Sequence, residues 1–541
     1  MSRPRGIRSV RVASCSSYHG DPAYEMYRQA TLGDVDFITG DYLAEVNLAN
    51  DAEVWRNGKH PGYEETAWEG IQQTIDVIAH KRIRVIINGE PRRSCRVLGD
   101  DLYSHVGPNM PTTREGMCHL DSGNPDIIPS DLTYAFLNTD NGKPTPMVSA
   151  HAYLGARGIV DGLRRGADVI ICGRVADASP LIAAAWYWHT WSETDYDRVA
   201  GSLIAGHLIE CSAYVTGGNF SGFDKHPLED LVAPGFPISE IASDGTCVIT
   251  KHSNTQGIVN EETVACQFLY KLQGTTYLNS DVSADISDVA IKEIGRDRVY
   301  ASGIRGSPPP STTKLAVFYQ GGYEAQLLLN ATGYATGKKW DMLEKQTRHF
   351  IPEKVLKSLE TLEFQRIGTP ASDPSLQEES TIYLRIFVAS RSQTAMLGVA
   401  KAMKDISLKH LSGFHSSMDT RTAMPIRFLA YYPAPIKQAD IHETINFIDG
   451  PNAIHSYETS HPPQYKEPGM RESYDPSHPK TLQGPTKKLP LGDIAIGRSG
   501  DKGENLNCGI FSSTSRLDGF GKGFVDYIRD KLVDVPVGPL L

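Results

Sequence analysis

Five stretches of the chain gather side chains able to move protons or hold anions. Gly40, Asp41, Tyr42 and Glu45 set two carboxylates around a strand-to-helix turn, where either can act as a base, ligate a metal or accept from a hydroxyl. Asp41 is equally suited to cap the helix that follows. Cys172, Gly173, Arg174, Asp177 and Ser179 follow an apolar run; the planar guanidinium of Arg174 fits a carboxylate or phosphate, and Asp177 is near enough to orient it or simply to pin the loop. Cys172 is a candidate binding residue and becomes a nucleophile only if a cation such as Arg174 lowers its pKa.

Ser16, Ser17, His19, Gly20 and Asp21 form a small-residue turn feeding a helix, either an anion site built from backbone N–H groups or a plain capped turn. His207 and Glu210 stand three apart, on one helical face, and Cys211, Thr216, Gly217, Gly218 and Asn219 follow. A lone His-Glu pair is more often a surface contact than a proton relay, and two side chains do not make a metal site. Asn219 is a candidate oxyanion donor, and the two glycines allow close approach to the backbone. Gly497-Arg498-Ser499-Gly500-Asp501-Lys502-Gly503 reads as an anion-binding nest or as an exposed glycine-rich turn. No GxGxxG or GxxxxGK[ST] loop occurs, so no nucleotide cofactor is indicated.

The elements that must position these groups alternate in type. Residues 9–15 read as a strand, 22–31 as a helix, 35–41 and 82–89 as strands, 156–166 as a helix and 167–172 as a strand. A helix over 63–79 is expected to bury Trp68, Ile71, Ile75 and Ile78, which recur at three- and four-residue spacing. Alternation of this kind favours an α/β fold with a largely parallel sheet flanked by helices, and loops at the carboxyl ends of its strands are where such folds bind ligands.

A second lobe is expected from about residue 250, with a helix opening at 262–264 and a strand at 314–319. Residues 452–490, rich in Pro, His, Ser and Lys, read as an exposed connector. A small terminal α+β domain over 491–541 should begin with a strand and end in a helix near 523–532.

Composition narrows the classes. With 541 residues, 40% apolar and 22% charged, the chain has ample material for more than one core. A net charge of -10 with only short basic clusters such as Arg164-Arg165 argues against nucleic acid as a partner. No apolar run approaches the ~20 residues that span a bilayer, and no secretory signal opens the chain, so a cytoplasmic location is expected. The eight cysteines are scattered without CxxC pairs and read as reduced, packing thiols.

Taken in order, Gly40-Asp41-Tyr42-Leu43-Ala44-Glu45, Cys172-Gly173-Arg174-Val175-Ala176-Asp177-Ala178-Ser179, Glu210-Cys211 with Thr216-Gly217-Gly218-Asn219-Phe220, and Arg498-Ser499-Gly500-Asp501-Lys502-Gly503 resemble the acyclic terpene utilisation (AtuA) family over nearly the whole chain. The resemblance implies an α/β main domain, here 8–451, and a ferredoxin-like terminal domain that is abbreviated in this chain. It also implies work on branched terpenoid acids handled as coenzyme A esters. Compared with the family, the path from Gly89 to Gly99-Asp100-Asp101 is short by about one crossover helix, and Cys508-Gly509-Ile510-Phe511 runs at once into the polar stretch 512–518.

The expectation is an enzyme acting on a small branched carboxylic acid or its acyl-CoA ester, of hydratase, hydrolase or lyase type. Asp41 or Glu45 would be the base, Arg174 and Arg498 the anion holders, and Asn219 the oxyanion donor. Coenzyme A enters only as part of the substrate. A carboxylase partner and a homo-oligomer are further expectations, and the alternative is a non-catalytic binding or scaffold subunit.

Overall fold

The computed structural model describes residues 6–56, 58–59, 63–89, 147–270, 272, 274–416, 421–448, 454–469, 490–493, 495–502 and 505–511. The Gly99-Asp100-Asp101 step and the helix expected near 523–532 lie outside them. The described residues within 6–89, 149–317 and 432–511 form one unit, and 147–148 with 318–431 form another. The second lobe therefore starts near 318, well after the expected position at 250.

The first unit is built on an eight-stranded sheet. Its parallel half runs β1 (Val10–Ser16), β2 (Phe37–Asp41), β3 (Arg84–Asn88) and β4 (Val169–Cys172), each pairing with the next. Side chains alternate between two covered faces, as a doubly covered sheet requires. Val10, Val12, Phe37 and Ile86 join one core with helices α5 (Ser179–His189) and α6 (Tyr196–Ile209). Ala13, Cys15, Ile38, Val85 and Ile87 join a second core under α1 (Tyr24–Thr31) and α3 (Glu65–Lys81). Between these, α2 (Glu45–Arg56) follows β2, and α4 (Arg157–Arg164) precedes β4.

On the other side of β1 the sheet is antiparallel. β5 (Pro237–Ile241) pairs with β1 and with β6 (Cys247–Lys251), followed by β8 (Arg298–Ser302) and β7 (Ala290–Gly295). The parallel arrangement thus holds for four strands, and the remainder is a set of hairpins. The carboxyl ends of β1 and its parallel neighbour β2 lie side by side, the edge at which α/β sheets place their ligands.

Of the face expected for helix α3, Ile78 is buried and Ile71 packs against the core, but the other two residues turn outward. Trp68 and Ile75 are exposed, and the buried positions are Ala67, Gly70, Thr74 and Ile78. Small residues won that face because α1 lies close. A Cβ on Gly70 would sit 3.3 Å from both the Met26 methyl and the Ala23 carbonyl oxygen.

Helix α7 (Glu261–Leu269) opens with a capping box, in which the Asn260 side chain accepts from Thr263 N at 2.9 Å and the Thr263 hydroxyl accepts from Asn260 N at 3.1 Å. Asn260→Ala is expected to cost about 1 kcal/mol, read as a lower urea midpoint.

Two hairpins complete this unit. β13 (Thr444–Ile448) pairs with β14 (Ile454–Glu458), so the region read as a connector from 452 begins as a strand. Beyond it Thr459 and Pro462 are buried, and Lys466 N donates to Pro309 O at 2.9 Å. β15 (Ile496–Lys502) pairs with β16 (Asn505–Phe511) against α7, where Ile496 packs with Phe220 and Cys266. Most of the segment read as a nest, 497–502, is therefore strand. The second unit holds an antiparallel sheet: residues from 318 on of β9 (Thr312–Ala331) lie between β11 (Ile382–Ser390) and β12 (Phe414–Ser416), with β10 (Thr361–Ile367) outside β11. Helices α8 (Thr336–Phe350) and α9 (Gln393–Asp405) pack with it through Trp340, Leu343, Met396 and Val399. Among the described residues no helix is long and apolar enough to cross a membrane.

Candidate functional site

Arg174 organises the loops at the carboxyl end of the parallel strands. It is 2% exposed, and its Nη1 donates to Asp41 Oδ1 at 3.1 Å and to the Leu43 carbonyl at 2.7 Å, while Nη2 donates to Asp177. The Tyr153 ring lies 4.1 Å from its guanidinium carbon. Burial works against its charge, but Tyr153 and the carboxylates of Asp177, Asp41 and Glu45 outweigh it and hold the guanidinium charged well above the ordinary arginine range. With three oxygens already on it, Arg174 acts here as the clamp that fixes the β2 exit to the β4 exit.

Asn88, absent from the sequence-based candidates, is part of the same clamp. Wholly buried at the end of β3, it accepts from Tyr42 N at 2.6 Å and Leu43 N at 3.1 Å and donates to Asp41. A lone polar residue closing the run Val85-Ile86-Ile87 was its only sequence signal. Glu45 sits apart from Asp41 in role. Lys314 Nζ reaches it at 2.9 Å and the Tyr153 hydroxyl donates to it. Burial opposes its charge, but Lys314 and then Arg174 outweigh burial and hold the carboxyl far below the usual carboxylate range. His151, wholly buried, is pushed down to about 3 by burial and by Arg174, so it stays neutral near pH 7.

Beside this clamp runs a narrow cleft lined by Ser14, Thr39, Asp41, Asp177, Leu181 and Glu210, among others, at the carboxyl ends of β1 and β2. Helix α5 starts at the cleft, with Pro180 in its first turn, and turns the positive end of its dipole toward it. Glu210 caps the far end of α6, and its side chain is 2% exposed. His207, fully buried, stands one turn back with Nδ1 3.6 Å from Glu210 Oε1. The other nitrogen of His207 lies 2.8 Å from the Phe268 carbonyl, which can only accept, so Nε2 carries the hydrogen. Nδ1 then faces the carboxyl oxygen across a gap longer than a hydrogen bond. The pair is a buried dyad, not the surface contact expected of such spacing. Among the described residues no group of three or more His, Cys, Asp or Glu is arranged to hold a metal ion.

The remaining candidates divide. Asp21 accepts from Ser17 N at 2.6 Å, Ser17 Oγ at 3.2 Å and Ser212 Oγ at 2.8 Å, so its own carboxylate fills the turn that was read as an anion site. His19 is exposed, and its carbonyl accepts from Thr66. Gly173 lies between Cys172 and the clamp; the half-buried Cys172 has its thiol pushed up to about 12 by burial and by Glu443, which removes it as a nucleophile.

Thr216 Oγ1 bonds the carbonyls of Gly235 at 2.7 Å and Ala213 at 3.0 Å, Gly218 N donates to Ala213 O at 2.8 Å, and Gly217 and Asn219 take positive φ values of 111° and 49°. This is a structural turn, and Asn219 is not among the residues lining the cleft beside Asp41. Arg498, 4% exposed, lies between Tyr214 and Tyr270 at 4.4 and 3.9 Å and donates to Gln267 Oε1, while Ser499 is exposed. Gln267 Nε2 in turn donates to the His207 carbonyl at 2.9 Å, so Arg498 braces the helix carrying the dyad. Asp501 and Lys502 are the last two residues of β15.

No curated protein and no solved structure matches the chain. A family model described as "Acyclic terpene utilisation family protein AtuA" matches residues 10–91 and 93–447, a span that holds the Asp41–Arg174 clamp, the cleft and the dyad and covers well over half of the chain. The chain therefore belongs to the acyclic terpene utilisation AtuA family.

Proposed function

We propose that the protein is an enzyme that moves a proton on a small branched carboxylic acid or its acyl-CoA ester, in a hydration, hydrolysis or lyase step. The observation that carries this reading is the buried Glu210, with His207 one turn behind it, lining the cleft at the carboxyl ends of β1 and β2. Glu210 is the base. Asp41 and Glu45 suit that role less well: Asp41 Oδ1 is already committed to Arg174 and Asn88, and two cations hold Glu45 ionised. Their charge, with that of Asp177, instead fixes the rim. Glu210 takes the proton, and the dipole of α5 favours the negative charge left on the substrate.

The test incubates the purified full chain with branched and unbranched acyl-CoA esters and the matching free acids, and follows products by mass spectrometry. Product formation that disappears in Glu210→Gln is the expected result. Ligand binding without turnover of any member would overturn the enzymatic reading in favour of a non-catalytic subunit, such as one serving a carboxylase.

A further inference from the structure

Tyr153 also lines a second cavity, and none of its lining residues lines the cleft beside Asp41. Arg157, Ser280, Asp281, Glu443 and Thr459 contribute to its wall, and its cavity volume is about 30 Å³, room for a molecule of a few heavy atoms. Arg157 opens α4 and is 7% exposed. Its Nη1 meets Glu193 at 3.2 Å, but Nε and Nη2 are buried without a hydrogen-bond partner. Those two N–H groups form the side-on edge of the guanidinium, which matches both oxygens of a carboxylate. Asp281 is 3% exposed; its Oδ2 accepts from Ala156 N at 2.8 Å, and its Oδ1 has no partner. The buried Thr459 hydroxyl also lacks one.

Unpaired buried donors and acceptors lining one cavity cost stability unless an occupant satisfies them. The pattern specifies that occupant. Two parallel donors call for a carboxylate, and an acceptor of negative charge beside them calls for a donor on the same molecule. A multiply charged anion such as phosphate would bring more negative charge against Asp281 without supplying that donor. Burial and the neighbouring Asp281 raise the Glu443 carboxyl to about 8, which leaves it largely protonated near pH 7 and adds no second full negative charge to the wall.

We propose that this cavity binds a small carboxylate carrying a hydroxyl or ammonium group on the adjacent carbon, with the carboxylate on the Nε–Nη2 edge of Arg157 and the donor on Asp281 Oδ1. Titration calorimetry on the full chain with propionate, L-lactate and L-alanine tests it, because the three share a skeleton and differ in the donor. Lactate or alanine should bind at least tenfold more tightly than propionate, and the better of the two identifies the donor as hydroxyl or ammonium. Asp281→Asn, which keeps an oxygen for the Ala156 amide, should bring the three within about twofold of one another, and Arg157→Gln should abolish binding. Should Arg157→Gln fail to fold, Thr459→Val, which preserves shape, should weaken the preferred ligand severalfold with an unchanged melting temperature. Absence of heat with all three, equal binding of all three, or a preference that survives both Asp281→Asn and Thr459→Val overturns the proposal, and none of these outcomes bears on the Glu210 cleft.

Discussion

Arg174→Met should be the most destabilising single change at the candidate site, lowering stability by about 3–5 kcal/mol in urea or thermal unfolding of the first unit. The side chain is 2% exposed and bridges Asp41, Asp177 and the Leu43 carbonyl, so its loss removes a guanidinium shared by two largely buried carboxylates. Methionine supplies comparable length, which limits the cavity contribution and makes the electrostatic one dominant. Arg174→Lys should fall between, since one ammonium cannot reach three oxygens in the geometry of a planar fork. Adding Asp41→Asn to Arg174→Met should recover about 0.5–3 kcal/mol, because removing the second partner relieves the orphaned charge. If the single and double variants were equally unstable, or Arg174→Met unfolded like the native chain, Arg174 would not be the clamp described here.

The parts of this architecture that obey a local rule were legible in the sequence. The β-branched runs at 10–16 and 84–88 read as strands, and Asp41 meets Arg174 and Asp177 at one rim because β2 and β4, which carry these exits, flank β3 in the parallel half. What escaped depends on distance in space. Nothing local to Asn88 says that it will serve the amides of Tyr42 and Leu43, and nothing in the spacing of Trp68 and Ile75 shows that α1 approaches through Gly70 instead. The antiparallel half of the sheet had a local signal, the Asp244-Gly245 turn between two β-branched runs, with Gly245 at φ 90°. Arg498 and its glycines mimic an anion nest in composition, yet Gly500 is needed because the Tyr270 ring lies where its Cβ would be.

Glu210→Gln is expected to carry the largest functional effect, a fall in kcat of about 10²–10⁴ on whichever substrate the panel identifies, with KM changed little. Glutamine keeps the shape of a side chain that is 2% exposed but cannot accept the proton, so folding and substrate entry should survive while proton transfer does not. His207→Gln should cost less, about 10–100-fold, since the carboxylate remains and only the imidazole behind it is lost. The two effects should fail to add, because residues that act as one unit are not independent. In both variants kcat should fall while KM stays near the native value, a split that a purely structural role for the pair would not produce. An Asp41→Asn variant that folds normally and loses more activity than Glu210→Gln would move the base back to the rim of β2, and the dyad would then be a buried brace between α6 and the Phe268 carbonyl.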